Sequence, residues 1–469
     1  MNKISISNNA YKKQLTYIFL ILYGCIFGYI LIKTTRMAHP LGYLEDYYMS
    51  LRVDWLNLFM NDLRQTGLYS GFHRLYDHNA SMYFYLSHLG IFAGFETMYT
   101  FFYSQLVMIW SCVALYPVIF YRLTSNVYVS VLSILFFKLY NPFSIYLLSD
   151  SYWIYGWTTF ISLPIFFFLF RDKWNKSNWI WVALLIGVIS VGNVFRANAG
   201  LAVIISLIIL MAVKIIYPAV KSKKIKPIII GVCICLLTIF SNGFFTSTVP
   251  HIYQSATNQP ECLPMKGPWH SLYIGLGWEK ENPLGLEYAD RYGYIDREHL
   301  LYDIKDGYYV GIESPAYIDA VKKAYFDTVF SNLGYCTGSY IKKGFTALYN
   351  SVKFSVINPF LVNSRYYYVN FISPIITVLL AIFMVIYFKK LSSDKRKSVF
   401  KRFYLFLPIL LIFIICGILP GVIATPIVRE YLFGAVSTFD CVALTAYIIT
   451  ITQIIKYIKF KKQKWNIQI

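Results

Sequence analysis

Uninterrupted apolar runs, separated by short polar segments, recur along almost the whole chain. Ten of them, at about 15–33, 100–121, 126–147, 152–170, 178–195, 199–217, 227–247, 370–388, 403–420 and 436–455, are long enough to cross a hydrocarbon core of about 30 Å as a helix. A segment in lipid must satisfy its own backbone hydrogen bonds, and runs that are apolar on every face, without strand-like alternation, do so as helices. The expected fold class is an all-α polytopic membrane protein with about ten transmembrane helices. The first run follows Lys12 and Lys13 as a signal peptide would. Its apolar stretch is about 18 residues long, however, and no small-x-small site follows Ile32, so it reads as a retained anchor.

Two segments break the pattern, 34–99 after the first run and 248–369 after the seventh. The chain therefore divides into 1–33 (N-terminus and first span), 34–99 (first loop), 100–247 (spans two to seven), 248–369 (large loop) and 370–469 (spans eight to ten and a basic tail). Within 44–66, Asp46, Ser50, Asp54, Asn57, Asn61 and Gln65 recur at three- and four-residue spacing. Tyr48, Leu51, Trp55, Leu58, Phe59 and Leu63 lie opposite them, and Gly67 offers a stop. This predicts an amphipathic helix on the membrane surface, and a second, more aromatic one is expected over about 78–95. In the large loop the Gly and Pro content of 266–294 predicts turns, and 313–350 predicts an amphipathic helix that docks the loop onto the bundle.

Charge adds an orientation. Of 469 residues, 57% are hydrophobic and only 14% charged, with a mean hydropathy of +0.51; soluble domains carry about 25% charged residues. With a cytoplasmic N-terminus, the inner segments hold Lys3, Lys12, Lys13, Arg122, Arg171, Lys173, Lys176 and the basic stretches 221–226 and 389–402, besides the Lys-rich tail. Of the 23 Asp and Glu residues, only Asp172 and Asp394 fall in segments assigned as inner. This arrangement follows the positive-inside rule and places both termini of a plasma-membrane protein in the cytoplasm. The net charge of +20 then records topology and contact with the lipid bilayer, not a nucleic-acid footprint. Cys25, Cys112, Cys233, Cys235, Cys416 and Cys441 fall inside spans as small apolar residues. Cys262 and Cys336 share the large loop, where a disulfide and two free thiols are both open.

The groups able to do chemistry gather on the acid-rich, outer side. Glu45 and Asp46, in "HPLGYLEDYY", follow the first span closely. A carboxylate there can be the general base toward an acceptor hydroxyl attacking a sugar anomeric carbon, or it can cap the positive end of the surface helix. Spacing alone leaves both readings open. Arg196, in "VGNVFRANAG", interrupts two apolar runs with no acid beside it, as a functional cation or as a turn residue snorkelling to the interface. Lys266 and His270 stand in "KGPWHSLYIGLG", where backbone N–H groups can help hold a phosphate, and Arg429 is followed by Glu430, which can pair with it. Tyr43, Tyr47, Tyr48, Trp269, Tyr273 and Trp278 stand beside these residues as rings able to stack on sugars. His73, Asp77 and His78 are too sparse a set to argue for a metal, and no P-loop, GxSxG or zinc motif is present. Neither a metal nor another cofactor is expected.

The arrangement resembles the GT-C superfamily of integral-membrane glycosyltransferases. Glu45-Asp46 stands where that family's acidic motif falls, and "HNASMYFYLSHLG" (78–90) looks like its second surface helix. "VFRANAGLAV" (195–204) and "GPWHSLYIGLG" (267–277) are similar to stretches of bacterial members. The likeness covers most of the chain as an architecture, and the motifs that carry it are short. It implies transfer of a sugar from a polyprenyl-phosphate carrier to an acceptor glycan, lipid or protein on the outer face, usually with inversion. It also implies Asp46 as base with Glu45 as fallback, Arg196, Lys266, His270 and Arg429 on the carrier phosphate, and no required metal. Larger members end in a soluble domain where this chain has a Lys-rich tail, which leaves the acceptor open. Two other readings remain: a surface-polysaccharide polymerase or ligase of O-antigen type, which leans on Arg and His, and a transporter or flippase for lipid-linked saccharides. Against the transporter stand the long loop 248–369 and the lack of an internal repeat.

Overall fold

The structure, a computed structural model, describes residues 2–34, 47–66, 80–140, 153–196, 198–257, 268–288, 315–355, 382 and 393–466. In chain order the helices are α1 (Asn2–Thr34), α2 (Tyr47–Thr66), α3 (Ala80–Ala93), α4 (Thr97–Thr124), α5 (Val127–Tyr140), α6 (Trp153–Arg171), α7 (Asn178–Phe195) and α8 (Leu201–Met211). A π turn, Ala212–Ile216, leads to α9 (Tyr217–Lys221), followed by α10 (Ile225–Thr257), α11 (Trp269–Gly275), α12 (Pro315–Ser331), α13 (Leu333–Phe354), α14 (Ser393–Ile423) and α15 (Phe433–Asn466). No strand occurs among the described residues, and eight of their helical stretches are long and apolar enough to cross a membrane. The protein is an all-α polytopic membrane protein. Of the ten expected spans, the third is described only as α5, and the eighth (370–388) lies outside the described residues apart from Ile382.

Close helix contacts occur where side chains are small, because lipid gives helices no hydrophobic reason to associate and backbones must approach for dispersion to count. Antiparallel α1 and α4 meet at Gly24, where an added Cβ would lie 2.2 Å from the Ala114 carbonyl oxygen. One turn along, the Trp110 indole donates to the Cys25 carbonyl at 2.9 Å. The α14–α15 pair is comparably close, with glycines on both helices. A Cβ on Gly417 would lie 2.3 Å from the Ala435 amide nitrogen, and one on Gly434 would lie 2.8 Å from the Gly417 Cα. Elsewhere the core is aromatic and aliphatic, with Tyr116, Phe120, Phe160, Phe166 and Phe168 fully buried between α4, α6 and their neighbours.

One end of the bundle is basic. Arg171 donates to the carbonyls of Leu123 (2.7 Å) and Arg122 (3.1 Å), which close α4. Lys214, carried on the π turn, donates to the carbonyls of Phe170 (2.6 Å) and Asp172 (3.2 Å), which close α6. Each cation satisfies carbonyls that a helix end leaves orphaned and opposes the negative end of its dipole.

The surface helices lie at the other end of α4. Thr97, its first residue, donates to Asn57 of α2 at 3.0 Å. Tyr85 of α3 donates to the Phe245 carbonyl of α10 at 3.2 Å, and Phe59 of α2 stacks on Tyr83 of α3 at 5.8 Å. The buried stripe of α2 is Leu56, Phe59 and Met60. Phe59 of the expected stripe is buried and the expected polar positions Asp54, Asn57, Asn61 and Gln65 are exposed, whereas Leu58, also expected inside, is 50% exposed and Met60 is buried instead. Tyr83 and Gly90 of α3 face Phe59 and Met60, a pairing that periodicity alone does not determine.

The large loop departs from expectation twice. Residues 269–275 form a helix where turns were expected, because Pro268 is pre-set for a helix start and Gly277 follows soon after its end. The single helix expected over 313–350 is two, α12 and α13, broken at Asn332 (φ −130°, ψ 39°), whose side chain donates to the Thr328 carbonyl at 3.1 Å. Docking of this segment on the bundle is as expected: Asn350 donates to the Pro426 carbonyl at 2.8 Å. Cys336 is buried with a free thiol, and Cys262 lies outside the described residues.

Candidate functional site

Glu45, Asp46 and Lys266 lie outside the described residues; Asp46 directly precedes Tyr47, the first residue of α2. The remaining candidates all sit at the end away from the basic cluster. Arg196 closes α7 with extended backbone (φ −156°, ψ 126°), and its amide donates to the Gly192 carbonyl at 3.0 Å. The turn after it is built tightly. Asn198 takes φ 70°, and the Gly200 amide donates to the Asn193 side chain at 2.8 Å. The Ala199 carbonyl accepts from Thr158 at 3.1 Å. This turn buries Arg196 to 8% exposure, with its guanidinium donating to the Tyr155 hydroxyl. A buried, hydrogen-bonded guanidinium does not fit a residue snorkelling to solvent.

His270 is buried on α11. Trp269 beside it packs on the rings of Tyr325 (5.9 Å) and Phe326 (5.4 Å) of α12, with the Lys322 ammonium 5.4 Å above its indole. At the far end of α11, Gly275 lies against the end of α14, so that an added Cβ would be 2.4 Å from the Ile423 carbonyl oxygen. Arg429 starts the 3-10 turn Arg429–Leu432, whose Tyr431 accepts a hydrogen bond from Tyr288 at 3.0 Å. The structure thus brings the helix of His270 and the turn of Arg429 to one junction, where α11 and α13 meet α14. Arg196 belongs to the α7–α8 turn.

Two residues in this region were not among those selected from the sequence. Lys343 of α13 is 1% exposed and donates to the Ala424 carbonyl at 3.0 Å, with the Tyr340 ring 5.1 Å away. Burial pushes its ammonium down to about 7. Its neighbour Lys342 faces outward, paired with Glu279 and 5.8 Å from the Trp278 ring. Asp440, about two turns into α15, is buried and accepts from Ser355 at 2.5 Å. An ionisable group inside a span is a functional candidate by default. Among the described residues no three His, Cys, Asp or Glu side chains gather as a metal-ligand set.

Lys343 gives a pH dependence whose sign can be worked out. Between about pH 7 and 10.5 the folded amine is neutral and the unfolded one charged, so folding releases a proton and stability rises with pH across that window. Below pH 7 the folded state bears the full cost of the buried charge. Lys343→Met removes the group, so its melting temperature relative to the native protein is expected to be highest at pH 6 and to decline by pH 9, by about 2 kcal/mol in relative stability. Thermal unfolding in detergent at both pH values measures this, and an unchanged difference would show that the amine does not titrate there.

No protein family, curated protein or solved structure matches the chain.

Proposed function

We propose that the chain is a GT-C-type glycosyltransferase of a bacterial plasma membrane, moving a sugar from a polyprenyl-phosphate carrier to a glycan, lipid or protein acceptor on the outer face. The observation that carries this reading is the gathering of two surface helices and several buried cationic or basic groups at the bundle end away from the basic cluster. The sequence sets Glu45 and Asp46 immediately before the first of those helices. The positive-inside rule then makes this end the outer face and puts both termini in the cytoplasm.

The residues divide the chemistry. Asp46 takes the proton of the acceptor hydroxyl as that oxygen bonds to the anomeric carbon. On the opposite face the bond from that carbon to the phosphate oxygen breaks, and its electron pair leaves with polyprenyl phosphate, so the configuration inverts. The carboxylate charge also steadies the cation-like anomeric carbon, and Glu45 is the alternative base. Arg196, Lys266, His270 and Arg429 supply donors for the leaving phosphate, and Lys343 holds the loop helices against the spans beside it.

The test uses the full chain in lipid nanodiscs with a labelled polyprenyl-phosphate sugar and a membrane extract as acceptor. The expected result is acceptor-dependent release of polyprenyl phosphate with the label joined to acceptor. Movement of intact donor across the bilayer without release would identify a transporter and end this reading. Burial of Arg196 and His270 favours one rival, a polymerase or ligase acting on pyrophosphate-linked saccharides. That rival predicts that Arg196→Gln abolishes activity while Asp46→Asn retains it.

A further inference from the structure

The basic end of the bundle holds buried hydrogen-bond donors that the protein itself does not satisfy. Arg171 and Lys214 are accounted for by the helix-end carbonyls they cap. Three other N–H donors are not. Among the described residues, the Arg122 Nε, the Asn178 Nδ2 and the Trp174 Nε1 are buried and have no hydrogen-bond partner. Asn178 is fully buried, and its oxygen already accepts from Arg122 at 3.4 Å, which fixes its amide nitrogen as the spare group. Trp174 stands four residues before Asn178 and packs edge-on against Trp179 at 5.1 Å, so the three donors are carried by α4, the 172–177 connection and the start of α7 at this end of the bundle.

The charges are also unbalanced. Among the described residues, Arg122, Arg171 and Lys214 stand around one carboxylate, Asp172, which pairs with Arg171 at 2.8 Å and with Arg122 at 3.4 Å. A buried donor without a partner is costly, and these three beside surplus positive charge call for an acceptor that is also an anion. The corner reaches the surface, since the side chains of Arg122 and Asp172 are 14% and 24% exposed. A phosphate group supplies several acceptor oxygens and negative charge together, and Arg is suited to it by its fixed fork of donors.

We propose that this corner is a phosphate-binding site, distinct from the chemistry at the other end, and that it takes the headgroup phosphate of an anionic phospholipid from the adjoining leaflet. The site would be filled by a lipid wedged at the junction of α4 and α7, satisfying the three spare donors. Lipid supply is favoured by position, because the corner joins the ends of spans, where headgroups lie.

The experiment measures the melting temperature of the purified full chain in neutral detergent with added phosphatidylglycerol, phosphatidylcholine or inorganic phosphate, and counts retained lipid by native mass spectrometry. The variants are Trp174→Phe, which removes one donor and keeps the ring, Asn178→Leu, which removes another, and Arg122→Lys, which keeps the charge and loses Nε. The expected result is one phosphatidylglycerol retained by the native protein and a rise in melting temperature absent with phosphatidylcholine. Each variant should reduce the retained lipid several-fold while still melting cooperatively. Two results overturn the proposal: phosphatidylglycerol stabilising all variants as much as the native protein, or inorganic phosphate at millimolar concentration giving the whole shift, which would assign the site to a free anion. Should Arg122→Lys fail to fold, Trp174→Phe alone decides, because it leaves every charge in place.

Discussion

Gly417→Leu is expected to prevent the last two described spans from pairing and to leave little folded protein in detergent. The neighbours that a side chain at 417 would meet are backbone atoms, Ala435 N at 2.3 Å and Gly434 C at 2.6 Å, which cannot rotate away as a side-chain tip could. The helices must separate by a side-chain layer, at a cost of about 3 kcal/mol or more. That movement carries further, because the same pair places the Ala424 carbonyl that receives Lys343 and the Asp440 carboxylate that receives Ser355. Gly187→Ala is the matched control: an added Cβ at 187 meets no atom within 4 Å, and the change should shift stability by no more than about 1 kcal/mol. Thermal unfolding of both variants in detergent checks the pair. A Gly417→Leu protein that melts like the native one would show that this crossing is not what joins α14 to α15.

The spans could be read from the sequence because run length and apolarity translate directly into a helix that crosses lipid. The same holds for α2 and α3, expected over 44–66 and 78–95 and found as Tyr47–Thr66 and Ala80–Ala93. What the pattern does not carry is which neighbour a helix meets. Leu58 and Met60 are both apolar on α2, and only the position of Tyr83 and Gly90 on α3 decides that Met60 is the buried one. Lys343 was hidden for a related reason, since a Lys on an amphipathic helix is assigned to water. Its signal was the ladder Ser339, Lys343, Ala347, Ser351, in which small residues every four positions mark a face pressed against another helix. Asp440 was visible as a lone acid in the last apolar run, but its partner Ser355, 85 residues earlier in the chain, was not. The isolated position of Arg196 marked it as a candidate, whereas its burial depends on the Asn193–Gly200 turn that only the fold reveals.

Asp46→Asn is the substitution expected to act most strongly on activity. Asparagine keeps the shape and the ability to accept a hydrogen bond, but it cannot take the acceptor proton and brings no negative charge to the anomeric carbon. A positioned general base contributes about 10²–10⁴-fold, so transfer should fall by at least about a hundredfold, with binding of the lipid-linked sugar largely kept. Glu45→Gln should act more weakly, since Glu45 is proposed only as the alternative base. The proposed transfer of a sugar through Asp46 is tested most directly by mass spectrometry of surface glycans and other glycosylated acceptors from cells with the gene intact, deleted, or carrying Asp46→Asn. One defined sugar is expected to disappear in both defective strains while the Asp46→Asn protein remains in the membrane. Glycans unchanged in the deletion strain, or fully restored by the Asp46→Asn protein, would contradict it.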